Sequence, residues 1–161
     1  LKMLFRHHAP SVWDMENPEQ NREWGNLVHL VMSDITADAG PEKVLEEVFS
    51  EGLILSAQKH ELADLIHALL DNPDIARFFN VEGEILNEAE IISSDGHLYR
   101  PDRVMLNKGK ATVIDFKTGI YNENHRAQVL KYVELLIEMK YVIEGAYLVY
   151  LNRNPELKQV I

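Results

Sequence analysis

Residues 99–119, YRPDRVMLNKGKATVIDFKTG, contain two apolar, strand-like runs that are separated by the dipeptide Lys108-Gly109. A dipeptide that ends in glycine, between two strand patterns, is typical of a two-residue hairpin turn. Such a turn sets the register of the hairpin, and Asp102 then lies directly opposite Asp115. This feature constrains the fold strongly, because a one-residue slip would turn every side chain to the other face of the sheet.

Two opposed carboxylates in a half-buried sheet need a positive partner. Directly opposed residues have Cβ atoms about 4.5–5.5 Å apart, so the two charges would repel each other. Lys117 points to the same face as Asp115, whereas Ile114 and Phe116 point to the other face, toward a core. We therefore predict a divalent cation between the aspartates and a lysine beside it, an arrangement suited to phosphate chemistry.

The alternative is that both aspartates cap turns or pair with nearby basic residues on a solvated face. Basic residues are dense in this stretch and could contact phosphates or keep the hairpin soluble; they are Arg100, Arg103, Lys108, Lys110 and Lys117. The central position of Asp115 in the apolar run ATVIDFKTG favours the cation site over a solvated face.

The rest of the chain predicts one α/β domain over residues 1–161, mostly helical in 1–80 and with the sheet in 81–161. Ser56 can cap one of the helices. Periodicity predicts helices at 17–35, 41–52, 57–72 and 122–140, and a short helical turn at 73–80. Three strand-like runs within 82–119 and a last strand at 144–152 predict a mixed central sheet, a three-stranded antiparallel meander plus one further strand, flanked by helices.

Composition narrows the class of protein. The chain has 161 residues and no cysteine, so any metal must bind to histidine and carboxylates. The net charge of -10 argues against unaided, non-specific binding to nucleic acid. We expect a cytoplasmic protein without a membrane segment or signal peptide, and a piece of a longer chain. The remaining histidines, including His97 and His125, lack metal-ligand spacing and are predicted to lie at the surface.

Several motifs together resemble a known family. RPDRV (100–104) followed by VIDFKTG (113–119) resembles the PD-(D/E)xK nuclease superfamily. GNLVH (25–29), an acidic strand before the P-D element and QVLKY (128–132) are similar to its RecB-like branch, the nuclease domains of helicase-nucleases. The resemblance implies a restriction-endonuclease-like core and a metal-dependent DNA nuclease; we expect an exonuclease, although the residues alone leave both exonuclease and endonuclease action open. Its partners would be DNA and helicase domains, in the same chain or complex, that repair double-strand breaks by recombination.

The resemblance also implies a role for each matching residue. Mg²⁺ or Mn²⁺ would be bound by His29, Asp102, Asp115 and the main-chain carbonyl of Phe116. Lys117 would position or help deprotonate the attacking water. Supporting or substrate contacts would come from Gln128, Tyr132 and Arg103. Alternatively, the three residues have only structural roles: His29 is a packed or surface histidine, Gln128 lies on the polar edge of a helix and Tyr132 lies at the edge of the core.

Glu88 and Glu90 compete for the acidic position of the family pattern. A two-residue turn at Asp95-Gly96 would place Ala89 opposite Asp102 and send both glutamates to the other face. A three-residue loop over 94–96, with a left-handed glycine, would pair Glu88 with Asp102 and make it a catalytic residue. The family pattern favours Glu88, whereas the residues alone leave both registers open.

Two other functions remain as alternatives. The first is an inactive nuclease-like module that binds DNA or serves as a scaffold, which the acidic net charge favours and the complete set of motifs disfavours. The second is another metal-dependent phosphohydrolase, or a metal-sensing regulator, that uses the same carboxylates. No G-x-x-x-x-G-K-[ST] motif occurs, so a helicase motor would have to lie on other sequence.

Overall fold

The computed structural model describes residues 18–36, 39–79 and 81–161. Its first half is helical, as the periodicity predicts. The helices are α1 (Pro18–Asp34), α2 (Pro41–Ser50), α3 (Ser56–Asp71) and the single turn α4 (Pro73–Ala76). The segment before residue 18, on which the expectation of a missing signal peptide rests, lies outside the described residues.

The start of α3 differs from the prediction. Ser56 is already part of the helix, and Leu55 is the N-cap residue. The side chain of Gln58 accepts a hydrogen bond from the main-chain N–H of Leu55 at 2.8 Å. The predicted serine cap is therefore wrong, because a glutamine three residues into the helix reaches back to this N–H.

The second half contains seven strands and one long helix, α5 (Glu123–Glu138). The strands are β1 (Glu84–Asn87), β2 (Ile91–Ile92), β3 (Leu98–Tyr99), β4 (Arg103–Asn107), β5 (Lys110–Lys117), β6 (Val142–Tyr150) and β7 (Glu156–Gln159). Five of them form one sheet in the order β1-β4-β5-β6-β7, and β2 pairs with β3 in a small separate sheet. Only the β5–β6 pair in the large sheet is parallel, since α5 connects these two strands as a crossover.

The hairpin of β4 and β5 has the predicted register. Lys108 and Gly109 have φ angles of 49° and 79°, as a two-residue turn of this kind requires. Arg103 pairs with Ile114, and Asn107 pairs with Lys110. Extension of this register by one residue places Asp102 opposite Asp115, as expected.

Two parts of the sheet were not predicted. The first hairpin is interrupted between β1 and β2 and again between β3 and β4, so the predicted meander is divided between two sheets. In addition, β7 pairs antiparallel with β6 and extends the sheet beyond the predicted last strand. The sequence of β7, ELKQ, has a single apolar residue and therefore shows no clear strand alternation.

The sheet separates two apolar cores. Ile114 and Phe116 of β5 pack with α1, α2 and α3 on one face. Val113 packs with Val129, Val133 and other residues of α5 on the opposite face. Since side chains alternate along a strand, Asp115 and Lys117 belong to the α5 face, at the end of β5. Among the described residues, no helix combines the length and the apolar character that crossing a membrane requires.

Candidate active site

Asp102 and the end of β5 form the centre of the site. Asp102 lies just before β4, where the regular β4–β5 ladder has ended at the Arg103–Ile114 pair. One carboxylate oxygen, Oδ2, accepts a hydrogen bond of 2.7 Å from the main-chain N–H of Phe116. On the β4 side, this side-chain hydrogen bond thus continues the contacts of β5 beyond the main-chain ladder, while β6 pairs with β5 as far as Lys117.

His29 reaches this point from α1, on the other side of the sheet end. Its Nδ1 lies 3.3 Å from Oδ1 of Asp102 and 3.7 Å from Oε1 of Glu88. Its Nε2 lies 3.1 Å from the main-chain carbonyl oxygen of Phe116. The structure therefore brings His29, Asp102 and the Phe116 carbonyl together, as the sequence interpretation expects.

Glu88 joins the site because the first hairpin has the longer of its two possible loops. Ser93 N–H donates to the carbonyl of His97 at 2.9 Å, and Gly96 is left-handed, with φ 84°. In this register, Glu88 N–H donates to the carbonyl of Asp102 at 2.9 Å. Glu90 is exposed and is not part of this carboxylate group. The three-residue loop is confirmed.

Asp115 and Lys117 form an ion pair beside this group. Asp115 is 1% exposed, and its Oδ2 lies 2.5 Å from Lys117 Nζ. Lys117 Nζ also donates to Gln128 Oε1 at 2.8 Å. The ammonium group of Lys117 compensates part of the charge of this buried carboxylate.

Gln128 and Tyr132 continue the network along α5. Gln128 Nε2 donates to the hydroxyl of Tyr132 at 2.7 Å, and this hydroxyl donates to the carbonyl of Arg100 at 3.3 Å. The chain of hydrogen bonds thus runs from Lys117 through two α5 residues to the segment that precedes Asp102. It fixes the position of the ammonium group relative to the carboxylates.

The carboxylates alter one another's protonation. Burial and then the charge of Asp102 raise the pKa of Asp115 to about 6, although Lys117 opposes this change. Burial and the Asp102 charge also raise the pKa of Glu88. Burial acts to lower the pKa of His29, but its hydrogen bond with Asp102 and the nearby carboxylate charges outweigh burial, and the pKa is raised. The site therefore has an excess of negative charge, which a cation would neutralise.

The donor atoms fit a divalent cation. His29, Glu88 and Asp102 each offer one ligand atom, and these atoms lie within 4.8 Å of one another; no other such group occurs in the described part of the chain. Carboxylate oxygens suit Mg²⁺ and Mn²⁺, and an imidazole nitrogen suits a transition metal. This group includes Glu88, and Asp115 lies beside it with its Oδ2 paired with Lys117.

Arg103 does not lie where a phosphate contact requires it. Its side chain is 0% exposed, with the guanidinium carbon 4.6 Å above the ring of Phe79. It donates to the carbonyl of Ile35 at 3.3 Å and to Asn87 Oδ1 at 3.1 Å, and burial lowers its pKa to about 10. The expected phosphate contact is therefore wrong. Arg103 instead makes internal contacts, because its side chain points to the sheet face that packs against α1, α2 and α3 and that also contains Met105.

Sequence reasoning missed the position of His125. This residue is half-buried on the first turn of α5, and its Nδ1 lies 2.8 Å from the hydroxyl of Tyr150. Burial and the charge of Lys117 lower its pKa, so it is closer to the site than a plain surface histidine. The spacing of His125, Gln128 and Tyr132 on one face of α5 was an available signal.

Comparison with solved structures finds a similarity of low score. The chain is 18% identical to the protein in "Crystal structure of SSO0001", with a TM-score of 0.35. The match covers 87% of this chain and 65% of that chain. A comparison with curated proteins finds no match.

A family model matches almost the whole chain. It describes the PD-(D/E)XK nuclease superfamily and aligns with residues 4–159. This range includes all the residues of the site, from His29 on α1 to Tyr132 on α5. The mixed α/β sheet and the acidic cluster beside a lysine agree with this result. The chain belongs to the PD-(D/E)XK nuclease superfamily.

Proposed function

We propose that this chain is a metal-dependent deoxyribonuclease domain that hydrolyses phosphodiester bonds. The observation that carries the proposal is one convergence of groups: the Asp115–Lys117 ion pair lies beside the His29, Glu88 and Asp102 cluster at the end of β5. Clustered carboxylates with an adjacent ammonium group suit a reaction in which negative charge develops on a phosphate. Membership in a nuclease superfamily supports the same reaction.

The proposed metal is Mg²⁺ or Mn²⁺, bound by His29, Glu88 and Asp102, with Asp115 and the Phe116 carbonyl as further donors. When bound, such a cation polarises a phosphoryl oxygen and lowers the pKa of a coordinated water. The raised pKa values of Asp115 and Glu88 support this proposal, since burial and like charge disfavour their ionised forms without a cation.

Lys117 is the proposed catalytic residue. Its Nζ is held between Asp115 and Gln128, at 2.5 and 2.8 Å, where it can orient an attacking water and offset charge on the phosphate. Gln128 and Tyr132 act as positioning residues, because they contact the ammonium group directly or through one hydrogen bond.

The proposed biological role is exonuclease action during double-strand break repair, together with helicase domains in the same chain or complex. The motifs that resemble the RecB-like branch support this role. The net charge of -10 supports delivery of DNA by a partner, because this charge repels the phosphate backbone. The same excess of acidic residues weakens binding by the domain alone.

The test is degradation of linear DNA, single- and double-stranded, with Mg²⁺ or Mn²⁺ and with EDTA. We expect cleavage that needs the metal and that falls about a hundredfold or more in Lys117→Ala. Lys110→Ala is the matched control, because Lys110 begins the same strand and pairs with Glu144 at the surface. The control should retain wild-type activity.

Two results would contradict the proposal. DNA binding without cleavage, under all metal conditions and with helicase partners added, would indicate an inactive DNA-binding module. Hydrolysis of small phosphodiesters such as bis(p-nitrophenyl) phosphate, without any cleavage of DNA, would indicate another phosphohydrolase.

A further inference from the structure

A row of rings lies next to the site, between the end of β5 and the start of α5, and reaches the surface at one end. The rings of Tyr121 and Tyr150 have centroids 6.4 Å apart, and those of Tyr150 and His125 have centroids 5.9 Å apart. Tyr150 is 2% exposed and pairs with Lys117 in the parallel β5–β6 register. The row therefore runs from the neighbourhood of Lys117 to the surface.

Tyr121 is the outer end of this row. It is 37% exposed and follows Ile120, which is 79% exposed. The turn that presents both side chains depends on Gly119, which has a φ of 83°, a conformation that glycine adopts without strain. The hydroxyl of Tyr150 contacts Nδ1 of His125 at 2.8 Å and joins the start of α5 to β6. The ring of Tyr121 packs against the ring of this buried tyrosine.

Positive charge accompanies the exposed ring. Lys158 Nζ of β7 lies 5.0 Å from the ring centroid of Tyr121. The hydrogen bond with Glu123 raises the pKa of Tyr121, and the charge of Arg126, which is exposed on the first turn of α5, opposes this rise. One acidic group is also present, since the hydroxyl of Tyr121 donates to Glu123 Oε1 at 2.9 Å. Two cations and one carboxylate therefore lie around the exposed ring of Tyr121, beside the site.

We infer that Tyr121, with Lys158 and Arg126, is a stacking platform for an unpaired base next to the scissile phosphate. This inference rests on the proposed function and specifies its substrate as single-stranded DNA or a frayed duplex end. Successive bases of a single strand stack on aromatic side chains while cations contact the backbone. Bases inside a duplex are already stacked and paired, so their faces are closed to this ring.

The experiment measures fluorescence anisotropy of a labelled 15-nucleotide dT strand, with Ca²⁺ in place of the catalytic metal. Tyr121→Ala should weaken binding by at least about fivefold, and Lys158→Ala should weaken it less. Tyr121→Phe keeps the ring and loses the hydroxyl contact with Glu123, so it should bind like the wild type. Affinity for a closed circular duplex, which has no end that can fray, should not depend on Tyr121.

Phe49→Ala is the matched control. Phe49 is also 37% exposed and also has a lysine, Lys59, 4.7 Å from its ring centroid. It lies on α2, and neither α2 nor α3 contributes a residue to the site. If an exposed ring with a lysine only stabilises the fold, Phe49→Ala and Tyr121→Ala will both lower the melting temperature without a specific effect on dT binding.

A second arm separates stacking from general binding. A single abasic residue is moved through the dT strand, and the affinities of wild type and Tyr121→Ala are compared at each position. One position should lower the affinity of the wild type and leave the variant unchanged. If no position behaves in this way, or if Tyr121→Ala binds dT as well as the wild type, the platform is overturned.

The two proposals fail in different ways. If the wild type binds no oligonucleotide and cleaves none with Mg²⁺, Mn²⁺ or helicase partners, the proposed nuclease fails and the platform fails with it. If the wild type cleaves DNA in a Lys117-dependent manner but Tyr121→Ala leaves dT binding and KM unchanged, only the platform fails. A loss of dT binding in Tyr121→Ala, with unchanged cleavage of saturating substrate, supports both.

Discussion

Asp102 Oδ2 accepts a hydrogen bond from the main-chain N–H of Phe116, at 2.7 Å, while its Oδ1 lies 3.3 Å from Nδ1 of His29. One carboxylate thus joins the end of the sheet to α1. The same side chain therefore makes a hydrogen bond to the main chain of β5 and contacts the imidazole of His29.

Asp102→Asn should keep the hydrogen bond to the main chain of Phe116 and remove the negative charge. The amide oxygen of asparagine can still accept the Phe116 hydrogen bond, but the negative charge that attracts a cation is lost. We expect Mn²⁺ affinity to fall more than about tenfold with little change in the melting temperature of the metal-free protein. Isothermal titration calorimetry measures the affinity, and Asp95→Asn, in the exposed β2–β3 turn, is the control. Unchanged Mn²⁺ affinity would remove Asp102 from the metal ligands.

Asp115 makes the stability of the metal-free protein depend on pH. Its pKa is raised in the folded protein to about 6, so the folded state binds this proton more tightly than the unfolded chain does. The stability that this proton contributes is present below about pH 4 and is lost as the pH rises through about 6. The raised pKa of His29 acts in the same direction.

Asp115→Asn should therefore stabilise the metal-free protein at pH 8, by on the order of 2 kcal/mol, and by progressively less toward pH 4. Urea unfolding in EDTA at several pH values measures this difference. Added Mn²⁺ is the control, because it should stabilise the wild type more than the variant. If Asp115→Asn is less stable than the wild type at pH 8 in EDTA, the pKa of Asp115 is not raised in the folded protein.

Tyr132→Phe tests whether the α5 network positions Lys117. The change removes the hydroxyl that accepts from Gln128 and donates to the Arg100 carbonyl, but it keeps the buried ring. A net hydrogen bond contributes about 1 kcal/mol, so kcat should fall about fivefold while KM and Mn²⁺ affinity stay unchanged. Steady-state kinetics on DNA give both constants. Tyr141→Phe, on a tyrosine outside this network, should behave like the wild type, and an equal loss there would point to a general effect on folding.

Arg103→Ala should destabilise the fold. The change leaves a cavity above Phe79 and removes the donors of the Ile35 carbonyl and Asn87, and such losses in a core exceed about 2 kcal/mol. Arg100→Ala, at an exposed arginine, should change the free energy of unfolding by less than about 0.5 kcal/mol. Chemical denaturation compares the two. A stable Arg103→Ala protein with weakened DNA affinity would restore the phosphate contact that its burial argues against.

The register of the β4–β5 hairpin was predictable because it is a local property. The turn at Lys108-Gly109 restricts the backbone, and alternation along the strands then decides which side chains share a face. From these two rules the opposition of Asp102 and Asp115 follows, together with the common face of Asp115 and Lys117. The helices were predictable for a similar reason, because the apolar periodicity of each helix lies within one continuous segment of the sequence.

The position of Glu88 was open from the residues alone, because both loop lengths at Asp95-Gly96 are sterically possible. In the structure, the β1–β4 pair and the β2–β3 pair both have the register of the longer loop. β7 was missed because its four residues carry little apolar signal of their own, and the edge of β6 supplies the hydrogen bonds that order them.

The sequence by itself determined the secondary structure of most segments, the Asp102–Asp115 register and the face that Lys117 shares with Asp115. Only the tertiary structure decided that His29 meets Asp102 and Phe116, that Arg103 is buried and that Tyr121 and Lys158 lie together. The physical reason is distance along the chain: turn geometry and periodicity act over a few residues, whereas His29 and Phe116 are 87 residues apart and meet because α1 packs on the face of the sheet that contains Ile114 and Phe116.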